Sequence, residues 1–314
     1  MKIISILNYK GGVGKTTFTV STCQALALAG FRVLAIDNDG QHNLSLLLGN
    51  KTYRPNIRDV YLSSLGNAGK NFMHSIRETG LKNLHIVTSQ SGLCSTEVKD
   101  PFILQKTVLF CALYKFYDYI LIDNGPGLDI LQEAAIHASD EIFMPTELSY
   151  FAVNGIKDLH RIVSEKFRNE CYIAKIIPNF YKNTKSQKKY LKNMRELFPG
   201  KVTNTAIPFD NTFDECMREG KTLFINRLYS KAAAYYLKLM HELFDLDEEK
   251  TWEQVVEKRK QRLRSEARKR YYKRQSNRRN LKPSTGNLLQ AFPMQYDKTD
   301  SSRDEIPQSV TMTM

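Results

Sequence analysis

The chain has 314 residues, of which 42% are hydrophobic, and its formal net charge is +13. This length allows one α/β domain of about 250 residues with an appendage, or two small domains, and the hydrophobic content is sufficient for a real core. The five cysteines are scattered, odd in number and never form a C-x-x-C pair. This pattern argues against a disulfide framework or a zinc site, and it fits isolated cysteines as small core residues in a reducing cytoplasm.

The positive charge is concentrated at one end of the chain. The segment from Lys250 to the C-terminus holds 16 Lys and Arg against 7 Asp and Glu, so +9 of the net charge lies there. A nearly neutral body with a basic tail favours a polyanionic partner, either nucleic acid or an anionic membrane. The alternative interpretation is a solvated, disordered tail.

Short apolar, β-branched runs recur along the chain, and longer helical patterns separate them. Runs that are apolar on both faces are typical of parallel strands covered by helices, so the alternation predicts a doubly wound, mostly parallel α/β fold. The helices are expected to start near Lys15, Asp129, Tyr150 and Thr184, and Gly30 is the expected C-cap of the first helix. The predicted strands are 3–7, 32–36, 84–87, 119–122, 141–144, 172–177 and, less clearly, 202–207.

Composition divides the chain into three predicted parts. Residues 1–248 form the globular domain, 249–282 form a basic helical extension with no Gly or Pro, and 283–314 are rich in Ser, Thr, Gln and Pro and are expected to be disordered. The first apolar run is too short for a signal peptide, and no stretch reaches the length of a membrane span. We therefore expect a soluble cytoplasmic protein.

The stretch "LNYKGGVGKTTF" has the composition of a phosphate-binding loop and lies between a predicted strand and a predicted helix. Its glycines allow backbone N–H groups to point at phosphate oxygens, next to the positive end of the helix. In this context Lys15 is expected to reach the β and γ phosphates, and Thr16 to ligate Mg²⁺. A second lysine, Lys10, precedes the glycines and needs a separate explanation.

The motif "KGGVGKTT" resembles the deviant Walker A motif of the ParA/MinD family of P-loop ATPases. The resemblance implies that Lys10 crosses a dimer interface and contacts the phosphates of the ATP held by the partner subunit. Lys10 is then redundant within one subunit and useful between two; the alternative is a solvated loop lysine. The expected cofactors are ATP and Mg²⁺. The nucleotide-binding residues expected from the resemblance are Lys10, Gly11, Gly12, Val13, Gly14, Lys15, Thr16, Thr17, Asn179 and Pro208.

The segment "VLAIDNDGQHNLS" resembles the family's D-x-D-P-Q-G-N segment, with Gln41 and Asn43 in matching positions. Asp39 is implied to help place the hydrolytic water and the metal shell, so the predicted catalytic set is Lys10, Lys15 and Asp39. For Asp37, a structural capping role at the strand end and a catalytic role both remain open. Gly40 and His42 stand where the family has proline and glycine.

The segment "YILIDNGPGLD" resembles the Walker B strand, in which Asp123 is implied to hold Mg²⁺ through water. The predicted metal residues are therefore Thr16, Asp39 and Asp123. Asn124, Gly125 and Gly127 depart from the family's T-P-P or C-P-P ending, whereas Pro126 remains.

The match continues to about residue 245. "TELSYFAVNGIKDL" is similar to a ParA helix start, with Glu147, Ala152 and Gly155 in place. Asn179 in "IIPNF" is implied to contact adenine. Pro208, Glu215, Gly220, Lys221 and Ser230 follow the family's C-terminal pattern.

The ParA branch implies an ATP-dependent dimer that binds DNA without sequence preference, a ParB-like centromere-binding partner, and a role in plasmid or chromosome partition at the nucleoid. Segregation ATPases often carry arginine after the I-P pair, but this chain has Asp210 and Asp214, so DNA contacts must lie elsewhere. We expect them in the basic tail. A second basic set, on or near one predicted helix, consists of Lys182, Lys185, Lys188, Lys189, Lys192 and Arg195.

Two alternative functions remain. A MinD-like membrane switch would use the partial apolar stripe Trp252, Val255, Val256 and Leu263, but this stripe is small for firm anchoring, so a membrane partner is not expected. A metabolic or electron-transfer ATPase of the same superfamily could use Cys94 for an iron–sulfur cluster. Cys94 lacks glycine-rich surroundings, and we expect it to be a buried structural residue.

Overall fold

The computed structural model describes residues 1–49, 53–167, 171–244 and 246. The predicted basic extension, 249–282, and the predicted disordered tail, 283–314, lie outside this described part. The strands are β1 Lys2–Ile6, β2 Val33–Asn38, β3 Ile76–Glu78, β4 Leu84–Val87, β5 Tyr119–Asn124, β6 Glu141–Glu147 and β7 Tyr172–Asn179. The helices are α1 Lys15–Leu28, α2 Asn43–Gly49, α3 Ile57–Tyr61, α4 Leu65–Ser75, α5 Ile103–Phe110, α6 Ile130–His137, α7 Tyr150–Lys166, α8 Lys185–Leu197, α9 Asn211–Arg218, α10 Leu223–Asn226 and α11 Lys231–Phe244.

The strands form one seven-stranded sheet in the order β3-β4-β2-β5-β1-β6-β7. Every pairing is parallel except that of β3 with β4, which is antiparallel. The strand order runs outward in both directions from β1 and β5, and the helices cover both faces. The predicted doubly wound parallel sheet is therefore confirmed.

Each face of the sheet has its own apolar layer. Phe18 of α1 lies on one face, where its ring is 6.4 Å from that of Phe143 and 6.3 Å from that of Tyr236 in α11. The helices α3 to α6 cover the opposite face around Leu34, Ile36 and Ile122. Because both faces are covered, β2 is buried along its whole length.

The last predicted strand, 202–207, is wrong. Val202 and Pro208 make only isolated bridges, to Ile176 and Tyr181. The backbone N–H groups of Asn204 and Thr205 instead donate to the carboxylate of Glu242 on α11, which leaves them unavailable for a strand ladder. The short edge strand β3 was not predicted from the sequence.

The predicted helix starts agree with the observed caps. α1 begins at Lys15, and the side chains of Asp129, Ser149 and Thr184 accept N-capping hydrogen bonds at α6, α7 and α8. Gly30 follows α1 with a φ of +105°, in the left-handed region that glycine enters at no steric cost. None of the helices in the described residues combines the length and the apolarity that a membrane crossing requires.

Candidate nucleotide-binding site

The loop between β1 and α1 has the backbone form of a phosphate cradle. Gly12 has a φ of +73° and Gly14 a φ of +90°. Residues with a Cβ rarely adopt these values, whereas glycine does so readily. A Cβ at Gly14 would also lie 2.4 Å from Nδ2 of Asn179. This amide donates a hydrogen bond of 2.9 Å to the carbonyl oxygen of Val13. Asn179, at the end of β7, therefore packs directly against the loop and holds its backbone.

Lys15 is the lysine inside the loop. Its Nζ donates to the carbonyl oxygens of Asn8, at 3.3 Å, and of Lys10, at 3.2 Å. Burial lowers the pKa of this ammonium, while the carboxylates of Asp123 and Asp39 act in the opposite direction. Long hydrogen bonds to two carbonyls leave the cation with weak partners, and an anionic ligand would satisfy it better.

Asp123 lies at the end of β5, beneath the start of α1. It is fully buried, and it accepts hydrogen bonds from Oγ1 of Thr16, at 2.7 Å, and of Thr19, at 2.8 Å. Burial raises the pKa of this carboxyl group to about 6, although the two hydroxyls favour its charged form. The predicted partners Thr16 and Asp123 are therefore brought together by the fold.

Asp37 has a structural position. It is fully buried, and its Oδ2 accepts from the backbone N–H and the hydroxyl of Ser45, at 2.7 and 2.6 Å. Because Ser45 is the third residue of α2, this carboxylate fixes the first turn of that helix. Burial and the nearby Asp123 raise its pKa to about 8. The geometry favours the capping interpretation of Asp37 over the catalytic one.

Asp39 reaches the cavity from the loop that follows β2. Its Oδ1 accepts from the backbone N–H of Gln41 at 3.0 Å, and a Cβ at Gly125 would lie 3.1 Å from the same oxygen. A Cβ at Gly40 would lie 2.6 Å from the carbonyl oxygen of Leu93. At Gly40 and Gly125, where the chain departs from the family pattern, the missing side chains thus leave room for the backbone of Leu93 and for the carboxylate of Asp39.

These residues surround a cavity of about 390 Å³. Two of the predicted nucleotide-binding residues, Val13 and Pro208, do not line the cavity, and Val13 is buried. Asp123 does not line the cavity either, but it bonds Thr16, which does. Sequence reasoning missed the aromatic rings of Phe180, Phe213 and Tyr236, which no motif indicated. The lining residues are Gly11, Gly12, Gly14, Lys15, Thr16, Thr17, Asp39, Gln41, Asn43, Pro126, Asn179, Phe180, Phe213, Asp214 and Tyr236.

Lys10 lies outside this cavity. Its Nζ donates to the carboxylate of Glu147 at the end of β6, and about half of its side chain is exposed. The hydroxyl of Ser149 donates to the same carboxylate at 2.8 Å. The bond from Lys10 holds the pKa of Glu147 below its usual range. Lys10 is thus neither free in solvent nor directed at the cavity of its own chain.

Cys94 corrects another expectation. It is exposed rather than buried, with its Sγ 3.0 Å from Oγ1 of Thr96. In the part of the chain that the structure describes, no group of three or more His, Cys, Asp or Glu residues is arranged to hold a metal ion.

A glycine-rich loop between a buried parallel strand and a helix, with a lysine inside it and an aspartate on the adjacent strand, defines a P-loop nucleotide-binding fold. The family model described as an AAA domain matches residues 1–174. Sporulation initiation inhibitor protein Soj of Bacillus subtilis is 30% identical over 252 residues, which cover 77% of this chain and 98% of Soj. The chromosome partitioning protein ParA of Caulobacter vibrioides is 28% identical, over 80% of this chain and 96% of its own length.

A solved structure gives the same result. The septum site-determining protein MinD of Pyrococcus horikoshii, complexed with Mg-ADP, superposes with a TM-score of 0.65 at 26% identity, covering 77% of this chain and 96% of MinD. The chain belongs to the ParA/MinD family of P-loop ATPases.

Proposed function

We propose that this protein is a partition ATPase that binds Mg-ATP, dimerises around two ATP molecules, and hydrolyses ATP as a switch for nonspecific DNA binding. The observation that carries the proposal is the division of the two loop lysines. Lys15 lines the cavity of its own chain, whereas Lys10 does not line it and bonds Glu147. In a single chain, one loop lysine thus lines the cavity, and the other is paired with Glu147 outside it.

The donor set fits magnesium. Mg²⁺ prefers hard oxygen ligands and takes one or two carboxylates together with substrate phosphates and water. Oγ1 of Thr16 lies 2.7 Å from Oδ2 of Asp123, and Thr16 and Asp39 both line the nucleotide cavity. When bound, Mg²⁺ would neutralise developing phosphate charge. Thr16 would ligate it directly, and Asp123 and Asp39 would hold its shell.

The remaining chemistry belongs to residues of this chain. Backbone N–H groups of residues 11–16 and the start of α1 would bind the phosphates, and Lys15 would stabilise the charge that develops on the transferred phosphoryl group. Asp39, whose carboxylate is fixed by the N–H of Gln41, would orient the attacking water. Asn179 would hold the loop and contact the base side of the nucleotide.

Dimerisation is supported by the surface around Lys10. Tyr150 and Phe151, at the start of α7, are 61% and 81% exposed, and their rings pack edge to face at 5.6 Å. They follow Glu147, the partner of Lys10, by three and four positions in the chain. Exposed aromatic residues of this kind are typical of protein interfaces. A second ATP-bound copy would cover them and place its phosphates near Lys10.

DNA binding rests on two basic surfaces. We propose that the tail beyond Glu249 supplies the main contacts, because fourteen Lys and Arg lie between positions 250 and 282. In the described part, α8 presents Lys185, Lys188, Lys189, Lys192 and Arg195, all exposed. The cargo would be a plasmid or chromosome, and a ParB-like, centromere-binding partner would stimulate hydrolysis in the cytoplasm next to the nucleoid.

The test is DNA binding with ADP, ATP and a slowly hydrolysed ATP analogue, over a salt series. The full chain, a chain ending at Glu249, and a Lys188→Glu/Lys192→Glu variant are compared. We expect binding with ATP and its analogue only, with a log–log salt slope of about −5 for six phosphate contacts. Truncation should abolish this binding, while the α8 variant should weaken it less.

The outcomes separate the alternatives. Binding that survives truncation and is lost in the α8 variant would move the site to α8. Absence of DNA binding in every nucleotide state, together with ATP-dependent binding to anionic vesicles, would contradict the proposal in favour of a membrane switch.

A further inference from the structure

A group of large apolar side chains is exposed on the helical layer formed by α4, α5 and the turn after α5. Single exposed apolar residues are ordinary on soluble proteins, but contiguous ones mark interaction sites. The exposed fractions are 44% for Met73, 66% for Leu109, 64% for Phe110, 56% for Tyr114 and 52% for Phe116. We refer to these five residues as the edge patch.

Three residues of the edge patch, Met73, Phe110 and Phe116, are linked through α4 and an adjacent cavity. The ring of Phe110 lies against Gly69 of α4, since a Cβ at that glycine would come within 2.6 Å of it. Met73 lies one turn further along α4, on the same side as Gly69. Met73 and Phe116 then line a cavity of about 710 Å³, together with Ile76, Leu81 and Leu113. The patch therefore combines exposed apolar side chains with a cavity large enough for bulky side chains.

The rim of the patch is positively charged. Lys82 lines the cavity, Lys115 lies between Tyr114 and Phe116, and Lys70 precedes Met73 by one turn of α4. In the described residues these three lysines have no carboxylate partner. Arg32 is already paired with Asp118 at 2.7 Å, and Glu78 is the acidic residue of the cavity lining.

The patch lies away from the nucleotide site. Three residues that line the cavity lie at strand starts: Arg32 immediately precedes β2, Leu84 is the first residue of β4, and Tyr117 precedes β5 by two positions. The cavity therefore opens at the amino ends of these parallel strands, whereas the P-loop and Asp123 are at the carboxyl ends. A molecule on the edge patch would leave the P-loop accessible.

We propose that the edge patch is a docking surface for an acidic segment of a partner protein that carries at least two bulky apolar side chains. The apolar anchors would enter the cavity between Met73 and Phe116, and the carboxylates would face Lys70, Lys82 and Lys115. The same lysines argue against the other occupants from within this chain. A second copy would bring identical positive charges to the rim, and the basic segment 250–282 would be repelled by it.

The test selects the ligand chemistry without assuming it. A phage-displayed library of random peptides is panned on the full-length protein and counter-selected on a Phe110→Ser/Phe116→Ser double variant. Both rings are exposed, so this variant should fold, as thermal unfolding would verify. The matched control is Leu46→Ser, which removes an apolar side chain that is 48% exposed on α2.

We expect a consensus that combines Asp or Glu with two or more Leu, Ile, Phe or Trp. A synthetic consensus peptide should bind with a Kd on the order of 10 µM. The double variant and a Lys82→Glu/Lys115→Glu variant should each weaken binding by about tenfold or more, and Leu46→Ser should not change it.

Other results would overturn the proposal. The proposal of an acidic partner would be contradicted by a basic or uncharged consensus. Peptides that bind the double variant equally well, or no enrichment at all, would contradict it too. Self-association in sedimentation velocity that the double variant abolishes would make the occupant a second copy. Patch-dependent binding to vesicles containing phosphatidylserine would make it a lipid surface.

Discussion

The interior of the P-loop and its outer edge are built differently, although only four residues separate their two lysines. Lys15 lies among buried partners of its own chain, above Thr16 and Asp123. Lys10 is half exposed and paired with Glu147, which the exposed Tyr150 and Phe151 follow closely in the chain. The cation of Lys15 has only long hydrogen bonds to carbonyl oxygens and would be better paired with an anionic ligand. Around Glu147, in contrast, charged and aromatic side chains remain exposed. This difference supports the proposal that nucleotide binding and dimerisation depend on different lysines of one loop.

The largest effect is expected at the inner lysine. Lys15→Ala should reduce ATP affinity by about 100-fold, because a charge-assisted contact to phosphate is lost while the fold keeps its other bonds. Isothermal titration with ATP and Mg²⁺ measures this. Lys185→Ala, which removes an exposed lysine on α8, is the matched control and should titrate like the wild type. Unchanged affinity in Lys15→Ala would break the distinction between the two lysines.

The outer lysine should affect assembly and not binding. Lys10→Ala should keep ATP affinity within about threefold, because Lys10 does not line the cavity. It should abolish the ATP-induced dimer, as sedimentation velocity would show. Glu147→Gln, which keeps Lys10 and removes the charge of its partner, should still dimerise. A normal dimer in Lys10→Ala would contradict the role of this lysine between subunits.

The smallest effect on nucleotide binding is expected at Asp37, whose buried carboxylate bonds Ser45 of α2 and does not line the cavity. Its pKa is raised to about 8 in the folded protein, against about 4 for an unfolded chain. Between these values the folded state binds the extra proton, so the free energy of unfolding falls as pH rises from about 4 to about 8. Asp37→Asn should flatten this decline, as thermal unfolding of the nucleotide-free protein between pH 5 and pH 8 would show.

A control keeps that measurement specific. Asp118→Asn removes a carboxylate whose pKa is lowered by its bond to Arg32, so it should leave the decline above pH 5 in place. An equal slope in wild type and Asp37→Asn would assign the decline to another group.

Much of the fold followed from local patterns. The six parallel strands are apolar on both faces, and this pattern identified them because a doubly covered sheet requires it. The segment 202–207 fits this pattern less well, with Thr203, Asn204 and Thr205 at its centre. The N–H groups of Asn204 and Thr205 bond Glu242, a residue far along the chain. The exposure of Cys94 likewise depends on the packing of a loop, which its neighbours in sequence do not report.

The candidate site divides in the same way. The loop residues from Gly11 to Thr17 were predictable because phosphate binding needs glycines, a lysine and a hydroxyl at fixed spacing. The rings of Phe180, Phe213 and Tyr236 were not, since nothing local in their segments shows that β7, α9 and α11 converge beside the loop.

The sequence alone indicated the nucleotide-binding loop and the family of this protein, because spacing within one loop and the residues at strand ends depend on short-range geometry. Which side chains from distant segments contact each other became visible in the folded chain. In the fold, Lys10 bonds Glu147, which lies 137 positions away in the chain. Asp37 bonds Ser45 of α2 and does not line the cavity, and the edge patch is exposed. The reason is physical: contacts between distant segments depend on how helices pack on the sheet, and no local pattern records that packing.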